Sequence, residues 1–204
     1  MVKIKICGLK STEDVEIVNK YKPDYVGFVF AGTKRFVSDE LAKEMKQLLD
    51  SNILSVGVFV NDDVNHIKKL ADNSIIDLIQ LHGDEDQNYI DTLRTLTDKP
   101  IIKAVRMKDE TSIQNALSIN PEYYLLDSYD KTEYGGTGKT FDTNLINQKL
   151  DYYFLAGGLN ESNILDTLQK CSPYCVDISS GVETNGFKDE TKIKNIINLI
   201  RNNY

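Results

Sequence analysis

The chain is poor in cysteine, with three among its 204 residues: Cys7, Cys171 and Cys175. So sparse and odd a set argues against a disulfide framework and fits a reducing compartment. Cys171 and Cys175 flank Pro173 but lack companion ligands at metal-site spacing, so both read as structural. Long apolar runs are absent too: nothing approaches the roughly 20 residues of a membrane span. The first apolar segment is only about five residues long and is broken by Lys3 and Lys5, which is no signal peptide. A cytoplasmic protein with no membrane partner is expected. Basic residues are in deficit, giving a net charge of −7. That balance argues against nucleic acid as a partner. It leaves room for a small anionic ligand, because backbone dipoles can hold a phosphate inside an acidic protein. No linker, low-complexity segment or second domain is visible, so residues 1–204 read as one domain. At this length a single core can bury roughly 70% of the unfolded surface.

What the chain does have is a repeat. A short apolar run ending in polar or glycine residues recurs eight times, about every 25 residues, at 2–6, 25–30, 53–60, 77–81, 100–105, 123–126, 152–156 and 174–178. Each run precedes a stretch with helical spacing. Ser11 and Ser38 stand where helix N-caps belong, each followed by acids. Asp84-Glu85-Asp86 reads as another acidic helix start. The run 25–30 is apolar on both faces, as a parallel strand covered by helices must be. Eight such units predict an α/β fold, the (βα)8 barrel. A flat doubly wound sheet is the competing architecture. A barrel gathers the tails of its strands at one mouth, where the chemistry of such folds resides.

Those tails hold the unusual residues. Gly157-Gly158 and Ser179-Ser180-Gly181 follow units seven and eight, where barrels commonly build a phosphate site. Glycine lets backbone N–H groups approach the anion, and a helix N-terminus adds favourable charge; the alternative is two tight turns. Cys7 and Asp127 end strands one and six. A thiolate base and a carboxylic acid across one mouth suit proton transfer; a small buried cysteine and a helix cap are the alternatives. Lys5 shares the parity of Cys7 on its strand and is expected to favour the thiolate. The Arg35 fork matches a carboxylate, against a solvated surface arginine. His82 either lines the pocket or caps a turn; His66 is expected to be solvated on a helix. The long loop 128–141 suits a lid. Within it, the Gly138-Lys139 pair imitates a P-loop, but such a loop needs glycine at the position of Glu133.

With these residues in view, the chain resembles the phosphoribosylanthranilate isomerase family from end to end. The resemblance is carried by Lys5-Ile6-Cys7-Gly8-Leu9, Val26-Gly27-Phe28-Val29-Phe30, Lys34-Arg35, Gly57-Val58-Phe59-Val60-Asn61, Gln80-Leu81-His82-Gly83 and Leu125-Leu126-Asp127. Gly157-Gly158-Leu159-Asn160, the stretch from Val176 to Glu183, and Gly186-Phe187-Lys188-Asp189 carry it further. It implies a TIM barrel performing an Amadori rearrangement of N-(5-phospho-β-D-ribosyl)anthranilate, with no cofactor and no metal. It implies Cys7 as general base, Asp127 as general acid and Arg35 on the anthranilate carboxylate. Gly157, Gly158, Ser179, Ser180 and Gly181 would hold the phosphate, with Asp177 and His82 at the substrate. A monomer is expected, with a homodimer as the alternative. Two rivals stand against this reading. One is the related histidine-pathway isomerase, which carries aspartate where Cys7 stands; the other is a non-catalytic binder of phosphorylated ligands.

Overall fold

Within each strand the apolar side chains divide between two cores, and this division dictates the architecture. In β1 (Lys3–Cys7), Ile4 and Ile6 join the larger core with Val15 and Val18 of α1 (Thr12–Tyr21). Lys5 and Cys7 have the opposite parity and point inward. The same split recurs in β2 (Tyr25–Val29), β3 (Leu54–Phe59), β4 (Leu78–Leu81), β5 (Ile101–Met107), β6 (Tyr123–Ser128), β7 (Tyr153–Leu155) and β8 (Cys175–Ile178). Tyr25, Val56, Leu78, Ile102, Leu125, Phe154 and Cys175 form the inner core. In a strand the side-chain period is two, so a chain apolar at both parities is covered on both faces.

The computed structural model of the chain describes residues 1–32, 34–109, 111–128, 150 and 152–204. Its eight strands pair in parallel, in chain order, and β8 closes onto β1. The architecture is the expected (βα)8 barrel, not an open sheet. Outside it lie α1, α2 (Asp39–Leu48), α3 (Val64–Asp72), α4 (Gln87–Arg94), α5 (Thr111–Ala116), α6 (Ile164–Lys170) and α7 (Glu190–Asn203). After β8 comes a single 3-10 turn at Ser180–Val182. A two-residue hairpin follows, β9 (Glu183–Thr184) against β10 (Phe187–Lys188). No described helix is long and apolar enough to cross a membrane.

The caps form as expected: Ser11 Oγ accepts from Asp14 N, and Ser38 Oγ from Leu41 N. Each such cap contributes about 1 kcal/mol. The acidic start before α4 differs from expectation. Asp86 is the cap, accepting from Tyr89 N at 2.9 Å, while Glu85 turns inward. It accepts from Asn61 N and Gly83 N, and its other neighbour is the buried Lys103 Nζ at 2.7 Å. Glu85 thus braces two loops at the barrel mouth. Strand ends also move by one or two residues. Arg106 pairs with Asp127 and Met107 with Ser128, which extends β5 and β6 together. Asp127 therefore lies inside β6, held by its ladder, rather than in the tail after it. The loop expected to be a lid lies outside the described residues beyond Ser128, as does its Gly138-Lys139 pair.

Candidate active site

The mouth of the barrel holds a cavity of about 370 Å³, lined by both Cys7 and Asp127. Its described walls also include Arg35, Lys34, Gln80, His82, Gly157, Gly158, Asp177, Ser179 and Ser180. This volume suits a small ligand. Nine of the ten residues given a catalytic or substrate-binding role from sequence meet here. The exception is Gly181, which does not line the cavity. A Cβ on Gly181 would stand 1.9 Å from the Leu159 carbonyl oxygen. Its bare backbone instead lets the loops after β7 and β8 approach one another.

The thiol stands at the end of β1, with Gly27 of β2 as its register partner. A Cβ on Gly27 would meet Cys7 Sγ at 2.6 Å, so glycine makes room for the sulfur. Ser179 Oγ donates to the Cys7 carbonyl at 3.0 Å, fixing the loop after β8 to the end of β1. Below the thiol, Lys5 is fully buried. Burial opposes its charge, but Asp177 and Cys7 together hold its ammonium above the ordinary lysine range. Cys7 departs from expectation. Burial pushes its thiol up, the Asp177 charge pushes it further, and the nearby Lys5 and Lys188 offset these only in part. Lys5 does favour the thiolate, as expected, but desolvation is the larger effect.

The Lys5 side chain reaches across the barrel interior. Its Nζ donates to Asp177 Oδ2 at 2.7 Å and to Gln80 Oε1 at 2.9 Å. Gln80 Nε2 lies 2.9 Å from His82 Nδ1, and His82 Nε2 lies 3.3 Å from Asp127 Oδ2. A polar chain thus runs through the interior from β8 to β6. Two buried atoms on it, His82 Nε2 and Asp177 Oδ1, have no hydrogen-bond partner among the described residues. One suits a donor to a ligand and the other an acceptor.

Arg35 lies over Gly8, where a Cβ would stand 2.4 Å from Arg35 Cδ. Its Nε and Nη2 donate to the two oxygens of Glu183, both at 2.8 Å. Lys188 Nζ donates to the same carboxylate at 2.7 Å and to the Ser179 carbonyl at 3.1 Å. Burial resists the Glu183 charge, yet these two cations hold its carboxyl at about 2. Arg35 is therefore no solvated surface arginine: Glu183 grips one edge of its fork. Among the glycines, Gly157 and Gly158 have φ of 99° and 63°, a region side chains rarely enter. His66 also departs from expectation: its ring nitrogens bond Asp62 at 2.8 Å and Asp39 at 2.9 Å, and it stands edge-on to Phe30 and Phe59.

Gln80, Glu183 and Lys188 were not singled out from sequence. Gln80 could have been, since it shares the parity of His82 within an apolar strand. Glu183 and Lys188 lie in stretches that carry the family resemblance, but no local pattern shows their role, because only the β9–β10 hairpin brings them together beside Arg35.

Residues 4–199 match the family model for N-(5'-phosphoribosyl)anthranilate (PRA) isomerase. The chain is 51% identical over 201 residues to the N-(5'-phosphoribosyl)anthranilate isomerase of Endomicrobium trichonymphae, covering 98% of this chain and 99% of that one. It is 46% identical to the enzyme of that name from Lachnoclostridium phytofermentans, covering 96% of each. The solved phosphoribosyl anthranilate isomerase of Thermotoga maritima superposes with a TM-score of 0.90 at 34% identity, covering 99% of this chain and all of that one. A second solved isomerase, in complex with reduced 1-(o-carboxyphenylamino)-1-deoxyribulose 5-phosphate, superposes with a TM-score of 0.86 at 33% identity, with the same coverage. The chain belongs to the N-(5'-phosphoribosyl)anthranilate isomerase family.

Proposed function

We propose that the chain isomerises N-(5-phospho-β-D-ribosyl)anthranilate to 1-(2-carboxyphenylamino)-1-deoxyribulose 5-phosphate, with residues 1–204 acting as one domain. Asp127 protonates the furanose ring oxygen, and the ring opens to an iminium. The iminium acidifies the neighbouring C2 hydrogen. Cys7, as thiolate, removes it to give an enolamine, which tautomerises to the ketose. The substrate nitrogen is the electron sink, so the proton transfers need only these two side chains. Each is worth about 10²–10⁴ in rate. The observation that carries this reading is that Cys7 and Asp127 line one cavity.

The other lining residues take their roles from chemistry. Backbone N–H groups around Gly157, Gly158, Ser179 and Ser180 hold the phosphate, and Gly181 holds their two loops together. Arg35 takes the anthranilate carboxylate, with Glu183 setting the plane of its guanidinium. Asp177 Oδ1 accepts from a sugar hydroxyl, and His82 Nε2 faces the reacting end.

The working unit is the single barrel, since one chain supplies every lining residue described. One solved Thermotoga maritima structure is of monomers made from a dimeric phosphoribosylanthranilate isomerase, so sedimentation of this chain decides between the two states. Its three unpaired cysteines suit the cytoplasm. The enzymatic reading is tested by mixing the protein with freshly made phosphoribosylanthranilate and following the loss of anthranilate fluorescence. Catalysed loss supports it; binding without turnover would make the chain a ligand-binding barrel instead.

A further inference from the structure

One residue of the polar chain through the barrel interior has so far been given no role, Gln80. It is 1% exposed and sits in β4 two residues before His82, on the same inner face. We infer that Gln80 is a positioning residue that locks the His82 ring in its neutral Nε2–H tautomer, so that an N–H donor faces the cavity beside Asp127.

The Lys5 ammonium has only protons to offer, and it lies 2.9 Å from Gln80 Oε1. The amide must keep its oxygen toward Lys5, because turning it over would set an NH2 group against a buried cation. Its Nε2 is thereby directed at His82 Nδ1, 2.9 Å away. An amide NH2 can only donate, so Nδ1 must accept and carries no proton. In neutral imidazole the proton then resides on Nε2. Both the Nδ1–H tautomer and the imidazolium would set two donors against each other at this distance. The Nε2 atom is buried with no hydrogen-bond partner among the described residues, 3.3 Å from Asp127 Oδ2. The tautomer chosen by Gln80 thus places a donor where Asp127 and a ligand oxygen can share it. The same amide serves both neighbours: its oxygen satisfies a proton of the buried Lys5 ammonium and its nitrogen sets the His82 ring.

The sequence makes the test simple, since the chain has two histidines. Long-range proton–nitrogen correlation spectra of the ¹⁵N-labelled protein report the state of each ring nitrogen, and a His66→Gln variant assigns the signals. The expected result is a protonated-type Nε2 and an unprotonated-type Nδ1 for His82. In Gln80→Glu, which keeps the side-chain shape but offers an acceptor, Nδ1 should become protonated-type. A wild-type His82 protonated on Nδ1, or a His82 pattern unchanged in Gln80→Glu, would overturn the inference. These spectra are taken without substrate, so they stand or fall apart from the proposed reaction, on which only the kinetic arm rests. There, Gln80→Leu should lower kcat/KM roughly 10- to 100-fold through misplacement. In a His82→Gln background, which has no tautomer to set, the same change should have little further effect. An equal loss in both backgrounds would mark Gln80 as merely structural and overturn the assignment.

Discussion

Lys5 Nζ lies 2.7 Å from Asp177 Oδ2 in the barrel interior, and the lysine is wholly enclosed by the strands. Register places the two residues side by side on β1 and β8, so this ion pair sits at the seam where the barrel closes. Removing one partner of such a pair strands the other charge in a poorly solvated site. Lys5→Met should therefore lower stability by about 3–5 kcal/mol. A double change to Lys5→Met with Asp177→Leu should recover part of that loss. Urea unfolding checks both, and a single variant as stable as wild type would contradict the account.

Cys7 provides a sharper electrostatic test. Burial and the Asp177 charge together raise its thiol more than Lys5 and Lys188 lower it. The pH midpoint for alkylation of Cys7, followed in a Cys171→Ser, Cys175→Ser background, should lie above the ordinary thiol value of about 8.5. Lys5→Met should move it higher still. A midpoint below the ordinary value, or a downward move in the variant, would sink this assignment.

Glu183 links the cavity-lining Arg35 to stability at acid pH. Its carboxyl is held at about 2, below the ordinary glutamate value. A carboxylate lowered on folding contributes stability that is complete above its unfolded value, about 4.3, and is lost as pH falls from there toward 2. The melting temperature of wild type should therefore drop more steeply across pH 4.5 to 2 than that of Glu183→Gln. Parallel curves would mean that the pair adds nothing.

Much of this was legible in the sequence, for physical reasons. Strand tails identify Cys7, Asp127 and His82, because a closed parallel barrel gathers its strand ends at one mouth; Asp177 is legible only through the family resemblance. Strand ends are less legible: β5 runs on to Met107 only because β6 pairs with it as far as Ser128. Glu85 has the composition of a helix start but braces loops, a choice made by the distant Lys103 and Asn61. Glu183 and Lys188 act through a hairpin whose docking is tertiary. Whether Lys5 or desolvation prevails at Cys7 depends on burial depth, which no local pattern encodes.

In the proposed site, Gly181 separates holding the loops after β7 and β8 together from touching the phosphate. Alanine there would collide with the Leu159 carbonyl oxygen, so Gly181→Ala must push the two loops apart. We expect KM to rise about tenfold or more, the cost of roughly one misplaced backbone hydrogen bond to a charged group, with kcat less affected. Inorganic phosphate affinity, measured by competition, should fall in parallel. A kcat loss with unchanged KM would contradict the role given to this loop.

The most direct measurement is the single-turnover rate on phosphoribosylanthranilate for Cys7→Ser and Asp127→Asn, with affinity for the reduced product analogue measured on the same samples. The account predicts that each variant loses about 10²-fold or more in rate and binds the analogue within a few-fold of wild type. Wild-type turnover in either variant would contradict it.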